Sequence, residues 1–146
     1  MNADQLRKHI RDVPDFPKPG IMFRDVTPLL LEPAALEAAI EALTEPFRNQ
    51  RIDRVLGIES RGFMLGSPVA LSLGVGFGLV RKAGKLPYKV HRVSYDLEYG
   101  TDTVEMHVDT LEKGHRVLIV YDLIPTGGQA QAAVKLAREA GGEVIG

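Results

Sequence analysis

The chain has 146 residues, 45% of them hydrophobic and 25% charged, with a net charge of −1 and no cysteine. This suits one globular domain with a single core and excludes disulfides, thiolate metal sites and a cysteine nucleophile. A pI near 6.4 excludes broad nucleic-acid or membrane-surface binding, so any functional positive charge is local. The charged start MNADQLRKHI is not a signal peptide, and no run approaches the ~18 apolar residues of a membrane span. A cytoplasmic location is expected.

In chain order, Leu6, Ile10 and Val13 follow a cap at Asn2 or Asp4 and predict a short helix over 3–12. PDFPKPG (14–20) is a stiff loop. Pro33 suits a first helical position, and Leu36, Ile40, Leu43 and Phe47 mark one face of a helix over 33–48. Val55–Ile58 is an apolar strand, followed by a helix to Leu73 with Pro68 near its first turns; Val75–Val80 is a second strand. Residues 81–92 form a basic loop, and Val93–Leu97 and Thr103–Val108 form two strands of a hairpin-like excursion. In the second of these, Val104, Met106 and Val108 alternate with Glu105, His107 and Asp109, predicting an inner and an outer face. Val117–Val120 is a strand, a helix runs from about Gly128 to Ala140, and Val144-Ile145 begin another strand. The alternation predicts an α/β fold, a mostly parallel sheet flanked by helices, in a single domain over 1–146. The sequence stops as that last strand begins, so the sheet is expected to lack its C-terminal end.

In an open α/β sheet, ligands sit where strands end and helices begin. Three loops qualify: Glu59–Gly62, Arg81–Arg92 and Asp122–Gln129. In the third, unpaired amides heading a helix make an anion site, Gly127 and Gly128 allow close backbone approach, and Thr126 adds a hydroxyl. A tight turn with an incidental cap has the same appearance. Asp122, four positions before the threonine, suits hydroxyls or a divalent metal. Arg81, Lys82, Lys85, Lys89 and Arg92 read as a solvated loop or as a positioned clamp for a polyanion, to which Arg61 adds a guanidinium. His9, His91, His107 and His115 show no ligand spacing and read as surface residues.

VLIVYDLIPTGGQA (117–130) resembles the phosphoribosyl-pyrophosphate (PRPP) motif of type I phosphoribosyltransferases, an apolar strand, two acids and Thr-Gly-Gly-Thr. DFPKPGIMFRDVTPLL (15–30), GIESRGF (57–63), VRKAGKLP (80–87) and SYDLEYG (94–100) are together similar to the adenine phosphoribosyltransferase family. The resemblance covers roughly residues 14 to 146. It implies a type I phosphoribosyltransferase-like fold with a flexible hairpin or loop, about residues 92–108, over the site. It also implies the reaction adenine + PRPP → AMP + pyrophosphate, with Mg2+ bound through PRPP or pyrophosphate and no direct metal ligand, in a homodimer.

By the same resemblance, Pro125, Thr126, Gly127, Gly128 and Gln129 hold the 5′-phosphate, and Asp122 and Tyr121 lie at the ribose. Ser60, Arg61, Arg81, Lys82 and Lys85 face pyrophosphate, and Met22, Phe23 and Arg24 recognise adenine, largely through backbone groups. Glu98 manages the purine proton and, with Arg61, is catalytic; Tyr99 helps to cover the site. The Glu59-Ser60 peptide is expected to be cis. Three positions depart from the motif: Tyr121 replaces an acid, Pro125 an alanine and Gln129 a threonine. They predict weaker PRPP binding and slower turnover, and they raise the alternative of a non-catalytic regulator of the same fold that binds PRPP or a purine nucleotide.

Overall fold

A computed structural model describes residues 1–97, 99–121 and 127–146. Chain contacts separate two compact units, Met1–Pro46 and Phe47–Gly146.

In the first unit, helix α1 (Ala3–Arg7) opens with a capping box, in which Asn2 and Gln5 each accept the other's backbone N–H. It ends well before residue 12, because Arg11–Val13 form strand β1 against β2 (Phe23–Asp25). The antiparallel register sets Arg11 opposite Asp25 and Asp12 opposite Arg24, and both pairs form ion pairs. Cross-strand charge complementarity thus overrides the helical spacing of Ile10 and Val13. The connecting loop holds a cis Phe16–Pro17 peptide and closes through Asp15, whose carboxylate accepts the Gly20 N–H at 2.9 Å.

A short helix that the sequence did not predict, α2 (Thr27–Leu31), follows Asp25, which accepts the Thr27 N–H and hydroxyl. In α3 (Pro33–Thr44) the fully buried positions are Ala35 and Thr44, while Leu43 is 41% exposed, so the buried stripe is rotated from the predicted one. The helix stops short of residue 48 because Pro46 lacks the N–H that another turn would use.

The second unit contains β3 (Arg54–Ile58), α4 (Arg61–Leu73), β4 (Gly76–Lys82), β5 (Val90–Asp96), β6 (Thr101–His107), β7 (Arg116–Val120), α5 (Gly128–Glu139) and β8 (Glu143–Val144). The sheet order is β5-β6-β4-β3-β7-β8. Pairing is parallel from β4 through β8, and β6 runs antiparallel to both β4 and β5. The mostly parallel α/β prediction holds, with one antiparallel hairpin added at an edge. Residues 92–108 are mainly the strands of this hairpin rather than a loop, because seven cross-strand pairs tie Val90–Asp96 to Thr101–His107. Pro68 lies inside α4 rather than near its start.

The core is formed by Leu56, Ile58, Val80, Val104, Met106, Val117 and Leu136, all fully buried. Glycines set how closely α4 lies on β3 and β7. A Cβ on Gly57 would stand 2.6 Å from the Gly62 carbonyl oxygen, and one on Gly62 would stand 2.7 Å from that of Val120. Both neighbours are backbone and cannot rotate away. Gly62→Ala is therefore expected to destabilise the protein by roughly 1–3 kcal/mol, against less than about 0.5 for Ser67→Ala on the exposed side of α4. Urea unfolding measures both, and equal midpoints would show that α4 does not approach β7 this closely.

Candidate active site

The parallel strands β3, β4 and β7 end at the same edge of the sheet, and two of the three predicted loops are described there. Between β3 and α4, the Glu59–Ser60 peptide is cis, as predicted. Ser60 is exposed, and Arg61, half-buried, opens α4.

Beyond β3 the basic segment is more ordered than the sequence suggested. Arg81 and Lys82 belong to β4, not to a loop, because β6 supplies their partners Glu105 and Val104. As neighbours in a strand they point to opposite faces. The Arg81 guanidinium lies 5.8 Å from the Phe63 ring centre and 3.5 Å from the Glu59 carboxylate. Its Nε is buried with no hydrogen-bond partner among the described residues. Lys82 Nζ lies 3.5 Å from Asp102, which also accepts the Tyr95 hydroxyl at 3.2 Å. The Thr103 N–H holds the Asp102 carboxyl below the usual carboxylate range, helped by Lys82 and Tyr95 against partial burial. Burial, with Asp102 beside it, pushes the Tyr95 hydroxyl up to about 12, so it stays a donor at neutral pH.

The turn after β4 has its amides committed. Lys82 N–H donates to the Glu59 carboxylate, Ala83 N–H to the Thr103 carbonyl at 3.1 Å and Gly84 N–H to Glu105 at 2.9 Å. The Lys85 N–H turns back to the Lys82 carbonyl at 3.4 Å. Lys85 itself is exposed. This segment can therefore hold an anion through side chains, not through a backbone nest.

At the other predicted anion site, Gly127 adopts a left-handed conformation (φ 79°) and α5 begins at Gly128 with no side-chain cap. A helix start of this kind favours negative charge. Tyr121, placed by the sequence at the ribose, packs its ring on the core, and its hydroxyl donates to Gln129. Two of the three departures from the motif are thus bonded to each other. Asp122, Pro125, Thr126 and Glu98 lie outside the described residues.

In the first unit, Phe16, Phe23, Val13 and Asp25 line a cavity of about 300 Å3, with the two phenyl rings edge to face at 5.2 Å. The volume is at the lower end for a small-molecule site. Phe23, expected to stack on the base, is one of the two aromatic rings of this cavity. Met22 is 51% exposed, and the Arg24 side chain is bonded to Asp12 of the facing strand.

The sequence missed the two carboxylates that hold the turn. Glu105 was read as outward-facing but is only 3% exposed, because its cross-strand partners are Arg81 and Arg92 and the latter's guanidinium covers it at 2.9 Å. The histidines are half-buried rather than on the surface; His107 and His115 accept the Tyr88 and Glu112 amides. Among the described residues no cluster of three or more His, Asp or Glu could hold a metal ion, and no helix is long and apolar enough to cross a membrane.

The family of phosphoribosyl transferase domains matches residues 26–146. Adenine phosphoribosyltransferase of Thermobifida fusca is 56% identical over 141 residues, 97% of this chain and 80% of the relative. The crystal structure of adenine phosphoribosyltransferase from Rhodothermus marinus is similar at 58% identity with a TM-score of 0.93, covering 98% of this chain and 81% of the other. That of the Saccharomyces cerevisiae enzyme, complexed with an imino-altritol bisphosphate and adenine, is 40% identical with a TM-score of 0.93, covering 98% and 84%. Each of these relatives is named as a transferase and none as a regulator.

The Tyr121–Gln129 bond predicts that the two residues act as a unit. In a double-mutant cycle of Tyr121→Phe and Gln129→Ala, unfolding free energies are expected to show a coupling of ~1 kcal/mol. Additive losses would mean that the bond does not form in solution.

Proposed function

The chain belongs to the phosphoribosyl transferase domain family, in its adenine phosphoribosyltransferase branch, and we propose how its residues share the reaction. The reaction transfers the 5-phosphoribosyl group of PRPP to adenine and gives AMP and pyrophosphate, and residues 1–146 act in it as one catalytic domain. The observation that carries this assignment of roles is the basic turn at the carboxyl end of β4, fixed beside the exit of β3 by Glu59 and Glu105.

As the C1′–O bond breaks, its electron pair leaves with pyrophosphate, and the ribose acquires oxocarbenium character. Arg61, Lys82 and Lys85, with the Ser60 hydroxyl, are assigned to the leaving group and stabilise that charge, and Arg81 contributes its charge from the opposite face of the end of β4. Arg81 keeps an Nε–H that no described residue accepts, and Lys82 would exchange Asp102 for phosphate oxygens. At the other end of the sugar, Thr126, Gly127, Gly128, Gln129 and the flanking Pro125 receive the 5′-phosphate at the start of α5, with Asp122 and Tyr121 at the ribose.

Adenine is read by Met22, Phe23 and Arg24. The backbone N–H and C=O of Met22 offer the donor and acceptor that N1 and the 6-amino group require. A 6-oxopurine would meet two mismatched groups. N9 bonds to C1′ and loses its proton, which Glu98 takes. Tyr99, 87% exposed at the tip of the β5–β6 hairpin, is available to cover the site. Held through PRPP or pyrophosphate oxygens rather than by a side chain assigned to it, Mg2+ would help to neutralise the charge that builds on the leaving group. The enzyme works in the cytoplasm as a homodimer, without nucleic-acid or membrane partners.

Tyr121 withdraws one carboxylate from the ribose, and Pro125 withdraws one backbone N–H from the phosphate. The purified chain is expected to form AMP from adenine and PRPP with a high KM for PRPP. The combined Tyr121→Asp, Pro125→Ala, Gln129→Thr variant should gain about tenfold in kcat/KM, as one recovered hydrogen bond would give. Equal kcat/KM would show that the departures are neutral, and no AMP from either protein would contradict the assignment.

A further inference from the structure

Glu105 is a buried carboxylate that none of the steps above uses. It lies in the middle of β6, only 3% exposed, with Arg81 of β4 and Arg92 of β5 as its ladder partners. One carboxylate oxygen meets the Arg92 guanidinium at 2.9 Å, and the other accepts the Gly84 N–H at 2.9 Å. Desolvating a carboxylate is costly, and a matched apolar pair in place of Glu105 and Arg92 would hold a sheet together as well or better. What an apolar side chain could not do is bond to Gly84.

That bond falls at the centre of the turn carrying the clamp. Gly84 has φ 85°, a conformation in which a glycine is at ease, and its N–H points back towards β6. The flanking amides are tied to Thr103 and Lys82. Lys85 follows directly, so the direction in which its ammonium leaves the turn is set at Gly84. We propose that Glu105 is a positioning residue for pyrophosphate: it touches no substrate, but fixes the Lys82–Lys85 turn through Gly84 so that Lys85 is already aimed when the polyanion arrives. Preorganisation of this kind raises affinity by removing the ordering cost at binding.

The inference rests on the assignment of Lys85 to pyrophosphate, and its sign separates it from simple electrostatics. Removing a negative charge close to a polyanion site would by itself tighten binding. Loss of positioning weakens it.

The test is calorimetric titration of the purified chain with magnesium pyrophosphate, with thermal unfolding and steady-state kinetics alongside. Glu105→Leu is expected to lower Tm only modestly, because the Arg92 left without its partner is largely exposed, to weaken pyrophosphate binding roughly five- to tenfold, and to raise the KM for PRPP while that for adenine is unchanged. Glu105→Asp keeps the charge but draws the oxygens away from Gly84, and should weaken binding similarly. Glu105→Gln retains an acceptor for Gly84 and should restore most of the affinity.

Lys85→Ala is measured in parallel. If it binds weakly while Glu105→Leu and Glu105→Asp bind like the parent protein or more tightly, the positioning role is overturned and the clamp stands. If Lys85→Ala itself binds normally, the clamp assignment fails and takes the inference with it. Should Glu105→Leu not fold, Glu105→Asp decides alone: unchanged affinity overturns the proposal.

Discussion

The backbone N–H groups from Lys82 to Lys85 all have partners inside the protein, two of them carboxylates, Glu59 at the exit of β3 and Glu105 within β6. This constraint divides the chemistry of the sheet edge. A turn whose amides are occupied can meet an anion only with its side chains, which suits a leaving group that must be gripped, charged and then released. The start of α5, with a left-handed glycine and no side-chain cap, presents a helix N-terminus, whose dipole favours negative charge. The proposed substrate, a ribose with a phosphate at one end and a pyrophosphate at the other, would call on both kinds of surface.

The supports of the turn reach far into the sheet. Glu59 leaves β3 next to the cis peptide, and Glu105 belongs to the hairpin that extends the sheet by antiparallel pairing. Residues distant in sequence thereby set the direction of the basic side chains. The same economy appears at Asp102, which holds Lys82 and accepts from Tyr95, a phenol kept neutral by burial. On the other side of β4, Arg81 pairs with Glu59 over the ring of Phe63.

Apolar runs were legible in the sequence as strands because burial on both faces requires them, and Gly-rich exits marked where helices follow. The placement of Ser60, Arg61, Gly127 and Gly128 at strand ends and helix starts followed from that. What local patterning could not supply was pairing between distant segments. Arg81 and Lys82 became strand only because β6 lies beside them, and Arg11–Val13 left the helix because Asp25 and Arg24 waited opposite. Alternation put Glu105 outside, yet a single arginine on a neighbouring strand closed it off. Tyr121 and Gln129 looked like independent departures, whereas the fold joins them. An acid lost at one end of the motif and a threonine lost at the other are compensated locally by a phenol and an amide that satisfy one another, which preserves structure more readily than it preserves contacts to a sugar.

The division between side-chain and backbone recognition is tested most directly by nuclear magnetic resonance of the isotope-labelled chain titrated with magnesium pyrophosphate. The account predicts that the amides of Lys82, Ala83 and Gly84 exchange slowly with solvent before the ligand is added and remain so afterwards, while the ammonium signals of Lys82 and Lys85 shift. Amides that exchange rapidly in the unliganded protein and become protected only when pyrophosphate binds would contradict it, because the turn would then be a backbone cradle.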